Sequence, residues 1–126
     1  MIRGKILIVD DIFSNRLLLS SALESIGIES KSVGNGQAAI DSLQEESFGL
    51  VLLDIEMPVM NGLETVRYIR NEMPAHFNNL PVIALTAHNP LEYGNEMDAA
   101  GFTEILTKPY SIERLQDLIS KYLIDG

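Results

Sequence analysis

No cysteine occurs among the 126 residues, which removes disulfides, thiolate metal sites and thiol nucleophiles together and is compatible with a reducing compartment. Basic side chains are scarce: 9 Lys and Arg stand against 18 Asp and Glu, for a formal charge of −9. Nucleic-acid binding normally shows a basic patch or stripe, so no direct DNA or RNA contact is expected. No apolar run approaches the roughly 18 residues that suggest a membrane span, and the N-terminus leads into a strand without a signal-peptide pattern. Membrane insertion is not expected, and a cytoplasmic protein is. Linkers, repeats and low-complexity tails are missing too. Residues 1–126 are therefore read as a single domain, either a whole protein or an excised module.

What is present is a set of short apolar runs, each ending in a polar residue. Lys5-Ile6-Leu7-Ile8-Val9 delivers Asp10 and Asp11, and Gly49-Leu50-Val51-Leu52-Leu53 delivers Asp54. Pro81-Val82-Ile83-Ala84-Leu85 delivers Thr86, and Glu104-Ile105-Leu106-Thr107 delivers Lys108 ahead of Pro109. A more polar run, Ile28 to Val33, reads as an edge strand.

Between the runs lie helical spacings. Leu19, Ala22, Leu23 and Ile26 step at three and four residues and stop at Gly27, predicting a helix over about 13–26. Asn35-Gly36 opens a second helix with Ala39, Ile40 and Leu43 on one face, and Asn61-Gly62 precedes a third with Leu63, Val66 and Ile69. Met73 to Leu80 reads as a loop. Asn89 and Pro90 open a fourth helix, weakened by Gly94, that runs to Gly101. Ser111 caps a fifth with Ile112, Leu115, Leu118, Ile119 and Tyr122 as its buried face. Strands alternating with helices imply right-handed crossovers and a doubly wound parallel α/β sheet covered on both faces.

In such a sheet, ligands bind beyond the carboxyl ends of the strands. Crowded carboxylates there raise a pKa or recruit a cation. A hard ion such as Mg²⁺ suits one or two carboxylates, a carbonyl, waters and an incoming phosphate oxygen. Asp54 then reads as a nucleophile toward phosphorus, with Thr86 and Lys108 holding phosphoryl oxygens. Taken singly, Asp11 reads as a helix cap, Lys108 as a surface charge and Thr86 as a strand residue. Five polar groups at corresponding strand ends argue for one site.

Over essentially its whole length the chain resembles the receiver domains of two-component response regulators. The matching motifs are Asp10-Asp11, Asp54 with Met57-Pro58 and Asn61-Gly62 after it, Thr86-Ala87, and Lys108-Pro109. The resemblance implies a (βα)5 flavodoxin-like three-layer sandwich with strand order 2-1-3-4-5, an order taken from the family and not from hydropathy. It implies that Asp54 is the phosphoacceptor in a Mg²⁺-dependent phosphorelay, and that a histidine kinase or histidine phosphotransfer protein is the donor. It also implies that Asp11, Asp54 and the main-chain carbonyl of Glu56 ligate Mg²⁺ directly, with Asp10 reaching the ion through water. A cis Lys108-Pro109 bond, self-catalysed transfer and autodephosphorylation belong to the same expectation. So does signal output, or homodimerisation, through helix 4, strand 5 and helix 5 toward an effector the sequence does not name. Asn15 and Arg16 after the acid pair look like receivers of hybrid sensor kinases, with a single-domain regulator as the alternative.

The family commonly has an aromatic switch residue where this chain has Ile105, so movement of Thr86 with repacking of Ile105 is the expected switch. Glu56, Ala87 and His88 are expected to modulate the lifetime of the acyl phosphate, through a contact between Glu56 and His88. Tyr110, Tyr122 and the exposed positions of helices 1 and 5 are candidates for recognition.

Two other classes are weighed. Asp54-Ile55-Glu56 resembles the nucleophile and acid of haloacid-dehalogenase-type phosphatases, but there the nucleophile follows the first strand. A flavodoxin-like nucleotide carrier needs a Gly-, Ser- or Thr-rich loop after strand 1, where this chain has Asp10-Asp11-Ile12-Phe13.

Overall fold

The computed structural model describes residues 4–57, 60–87 and 90–123. Five parallel strands, β1 (Ile6–Val9), β2 (Ser30–Val33), β3 (Leu50–Asp54), β4 (Val82–Thr86) and β5 (Glu104–Thr107), form one sheet in the order β2-β1-β3-β4-β5. The helices are α1 (Phe13–Glu24), α2 (Gly36–Glu45), α3 (Gly62–Asn71), α4 (Pro90–Ala100) and α5 (Ile112–Leu123). Strand residues of alternating parity feed two cores. Leu7, Val9, Val51 and Leu53 meet Ile40 of α2 and Val66 and Ile69 of α3 on one face. Ile6, Ile8, Leu50 and Leu52 meet Leu19 and Leu23 of α1 and Leu115 and Ile119 of α5 on the other. Both faces being covered is why β1, β3 and β4 are apolar almost throughout and fully buried.

Register decides what converges. Val9 lies opposite Leu53 across β1 and β3, so the chain leaves both strands at the same height and Asp10 emerges beside Asp54. Asp54 is opposite Leu85 and Thr86 is opposite Thr107, which brings the ends of β4 and β5 to the same edge.

Local chemistry fixes the helix starts. Asn35 Oδ1 accepts the Ala38 N–H at 2.8 Å. Asn61 and Glu64 form a reciprocal capping box, with bonds of 2.9 and 3.1 Å. Ser111 Oγ accepts the Arg114 N–H at 3.0 Å. By contrast, α1 has Ile12 at its N-cap position and no side-chain cap, so Asp11 is not spent as a cap.

Gly62 is required by a close approach. A Cβ there would stand 2.6 Å from the Asp54 carbonyl oxygen and 2.8 Å from Ile55 Cα. The first turn of α3 thus lies on the backbone that carries Asp54.

Several boundaries differ from the sequence reading. Helix α1 ends at Glu24, and residues 25–27 close it as a turn in which the Ile28 N–H reaches the Leu23 carbonyl at 3.0 Å. That leaves Ile28 as a buried plug ahead of a shorter β2. The expected loop before β4 contains a 3₁₀ turn, Ala75–Asn79, which Arg70 Nη1 clamps through the Phe77 carbonyl at 2.6 Å. Ile112 is 39 % exposed, and Leu123 joins the buried face of α5. The expected cap Asn89 lies outside the described residues. No helix among the described residues is long and apolar enough to cross a membrane.

Candidate functional site

Asp10, Asp54 and Thr86 are all nearly or fully buried, although each is polar. Asp11 is exposed and Lys108 half-buried. One carboxylate oxygen from each of Asp10, Asp11 and Asp54 lies within 4.8 Å of the others. Lys108 Nζ stands 3.3 Å from Asp54 Oδ1, which also accepts the Glu56 backbone N–H at 3.2 Å. The Lys108 backbone N–H donates to the Thr86 carbonyl at 2.7 Å, which ties β5 to β4 at this height. Lys108-Pro109 is cis, as the resemblance implies.

Asp10 is anchored at both ends of its residue. Its Oδ1 accepts the Ile12 N–H at 2.9 Å, and its carbonyl accepts from Arg16 Nη1 at 2.7 Å. The Arg16 of the sequence motif therefore braces the acid-bearing turn. Asn15 instead lines a cavity of about 270 Å³ with Asp10, Leu18, Lys108, Pro109, Tyr110 and Ile112.

The electrostatics follow from burial. Loss of water pushes the Asp54 carboxyl up to about 6, against the pull of Lys108 and with a further push from Asp10 and from its hydrogen bond to Glu56. Tyr110 is pushed up to about 12, first by burial and then by the negative charges of Asp10 and Asp54. This tyrosine, expected only as a recognition candidate, thus feels the acid cluster directly. An all-oxygen donor set whose central carboxylate resists ionising is the environment a hard divalent cation relieves, so the residues fit Mg²⁺.

Glu56 makes a contact that the sequence reading did not include. Thr86 Oγ1 donates to Glu56 Oε1 at 2.8 Å. Burial would raise the Glu56 carboxyl, yet the hydrogen bonds from Thr86, from Asp54 and from the Ala87 backbone hold it below its usual range. The expected contact to His88 falls outside the described residues. With Asp54 opposite Leu85, continuing the register sets Glu56 level with Ala87, so the Thr86 contact depends also on the direction its side chain takes. Ile105 is half-buried on β5 against the core that contains Met97.

The model of the response regulator receiver domain family matches residues 6–120. Sensor histidine kinase GacS of Pseudomonas protegens is 37 % identical over 119 residues, 94 % of this chain and 13 % of that protein. The chain thus spans a small part of that sensor kinase. Sporulation initiation phosphotransferase F of Bacillus subtilis is 34 % identical over 123 residues, covering 98 % of this chain and 96 % of that protein. Among solved structures, the chemotaxis response regulator CheY4 of Vibrio cholerae superposes with a TM-score of 0.87 at 32 % identity, over 95 % of this chain and 98 % of that one. The receiver domain of sensor histidine kinase PA1611 from Pseudomonas aeruginosa, with a magnesium ion coordinated in its active-site cleft, gives a TM-score of 0.84 at 30 % identity, over 95 % and 97 %.

A doubly wound sheet with an acid cluster and a lysine at its carboxyl edge defines a class of phosphoryl-handling domain. Within that class, this chain belongs to the response regulator receiver domain family. It is a signalling module of two-component systems, a family in which an aspartate accepts the phosphoryl group.

Proposed function

We propose that Asp54 is the phosphoacceptor, that Asp10, Asp11, Asp54 and the Glu56 main-chain carbonyl hold Mg²⁺, and that Thr86, Ala87 and Lys108 bind the phosphoryl oxygens. The observation that carries this reading is the cluster of three carboxylates within 4.8 Å, faced by Lys108 at 3.3 Å from Asp54. Bound Mg²⁺ supplies charge neutralisation for the carboxylates and the incoming phosphoryl oxygens.

An Asp54 carboxylate oxygen attacks the phosphorus of a phosphohistidine. The phosphorus–nitrogen bond breaks, its electron pair returns to the imidazole, and an acyl phosphate forms. Lys108 stabilises negative charge on the transferring group from one side, and Thr86 moves to bind it from the other. Attack of water on phosphorus later restores the carboxylate and releases inorganic phosphate. This is slow self-dephosphorylation of a switch and not turnover of a substrate pool.

The donor is a histidine kinase or histidine phosphotransfer protein in the cytoplasm, and the surface beside the site supports a protein donor. Ile12, Phe13, Leu17 and Leu18 are 51–68 % exposed. Leu18 and Ile112 flank the cavity that reaches Asp10 and Lys108, so the apolar patch is continuous with the site. Output proceeds through α4, β5 and α5 to an effector or to a second copy, and Ile105 repacks as Thr86 moves. Residues 1–126 act as one receiver, whether alone or within a hybrid kinase.

Incubation with phosphoramidate, followed by separation of phosphorylated from unmodified protein, tests the assignment. Conversion that needs Mg²⁺ and is lost in Asp54→Asn is expected. Undiminished conversion of Asp54→Asn, or of the wild type in EDTA, would overturn it.

A further inference from the structure

Thr86 is fully buried, and its hydroxyl is already engaged. A threonine hydroxyl carries one proton and can donate one hydrogen bond. In the resting domain that bond goes to Glu56 Oε1 at 2.8 Å, and the Ala87 backbone N–H is directed to the same carboxylate. These are the two donors that the proposed function gives to the phosphoryl group. Glu56 is at the same time hydrogen-bonded to the acceptor, because its backbone N–H reaches Asp54 Oδ1 at 3.2 Å.

We infer that the Glu56 carboxylate is a tethered stand-in for the phosphoryl group, holding the Thr86 hydroxyl and Ala87 amide until phosphorylation of Asp54 expels it. The inference rests on Asp54 being the acceptor. Two groups compete for one proton donor, and both are anionic, so they exclude each other by charge as well as by hydrogen-bond count. Glu56 is exposed as a residue, which gives its carboxylate a route into water when it leaves. The contact has two consequences. It slows formation of the acyl phosphate, because the arriving group meets a carboxylate where it needs donors. It also keeps Thr86 in its resting position, so that the switch is not thrown by metal alone.

The experiment compares wild type, Glu56→Gln, Glu56→Ala and Asp54→Asn with Mg²⁺ present. Phosphorylation by phosphoramidate is followed by intact mass, and the Thr86 methyl resonance is followed by NMR in the unphosphorylated state. Losing a hydrogen bond to a charged group typically shifts an equilibrium by about tenfold or more. Glu56→Ala is expected to be phosphorylated about tenfold faster than wild type, with its Thr86 methyl displaced toward the phosphorylated position before any phosphodonor is added. Glu56→Gln keeps an acceptor oxygen for Thr86 but no charge, so its methyl stays near the wild-type position while its rate rises by a smaller factor.

Equal rates in wild type and Glu56→Ala, or an unmoved Thr86 methyl in folded Glu56→Ala, would overturn the inference while leaving the acceptor in place. Labelling of Asp54→Asn would instead remove the acceptor assignment and this inference with it. The two failures are therefore distinguishable.

Discussion

Replacing Asp54 with asparagine should make the metal-free domain more stable at about pH 8, although it removes the residue at the centre of the site. The Asp54 carboxyl is buried beside Asp10, and its pKa rises from 3.8 to about 6 in the folded state. Below about pH 4 the group is protonated whether the chain is folded or not, and it contributes no pH-dependent term. Between about pH 4 and 6 the unfolded chain releases the proton while the folded chain keeps it, so stability falls as pH rises, by about 1.4 kcal/mol per unit. Above about pH 6 the cost is complete, at about 3 kcal/mol. Asparagine has no such slope, so the variant should gain about 2–3 kcal/mol over wild type at pH 8, or roughly 10 °C in Tm for a domain of this size. Urea unfolding in EDTA, run from about pH 4 to 8, measures this directly. A stability difference independent of pH, or a variant less stable than wild type at pH 8, would refute the reasoning.

Mg²⁺ should close that gap: at a concentration about 100 times its Kd it should stabilise wild type by about 2.7 kcal/mol and leave Asp54→Asn nearly unmoved, as thermal unfolding would report. Gly62→Ala puts a methyl 2.6 Å from the Asp54 carbonyl oxygen, and it should lower stability by about 1–3 kcal/mol in urea while shifting amide resonances at Asp54 and Ile55. Arg70→Met strips the bonds to the Phe77 and Gly101 carbonyls, which are 2.6 and 2.9 Å long. It should cost about 2–3 kcal/mol and speed hydrogen exchange in the turn Ala75–Asn79.

The strands were legible because a sheet covered on both faces demands apolar residues at every position, and Ile6–Val9 and Leu50–Leu53 answer that demand directly. Helix starts at Asn35, Asn61 and Ser111 were legible through capping chemistry, which is local. The 3₁₀ turn Ala75–Asn79 was not, because five residues carry no periodicity and its clamp comes from Arg70 on another element. Ile112 misled for a similar reason: helical spacing assigns a face but not which of its residues is covered, and Ile112 lines the open cavity beside Lys108.

In the site, the motif residues were readable as a set, since each follows its own apolar run. Their spacing in three dimensions depended on strand order, which hydropathy does not encode and the family resemblance supplied. The bond between Thr86 and Glu56 lies a level deeper. It depends on the register of β3 against β4 together with the direction taken by one side chain beyond the strand end. The closeness of Tyr110 to the acid cluster was hidden in the same way, because the path of the chain after Lys108 carries no sequence pattern.

The most direct test of the central claim is to locate the phosphoryl group chemically. The protein is phosphorylated with phosphoramidate and Mg²⁺, reduced with borohydride, which converts an aspartyl phosphate to homoserine, and mapped by peptide mass spectrometry. Homoserine at position 54 and at no other aspartate is the predicted result. A phosphoryl group carried by another side chain, with Asp54 recovered intact, would contradict the account.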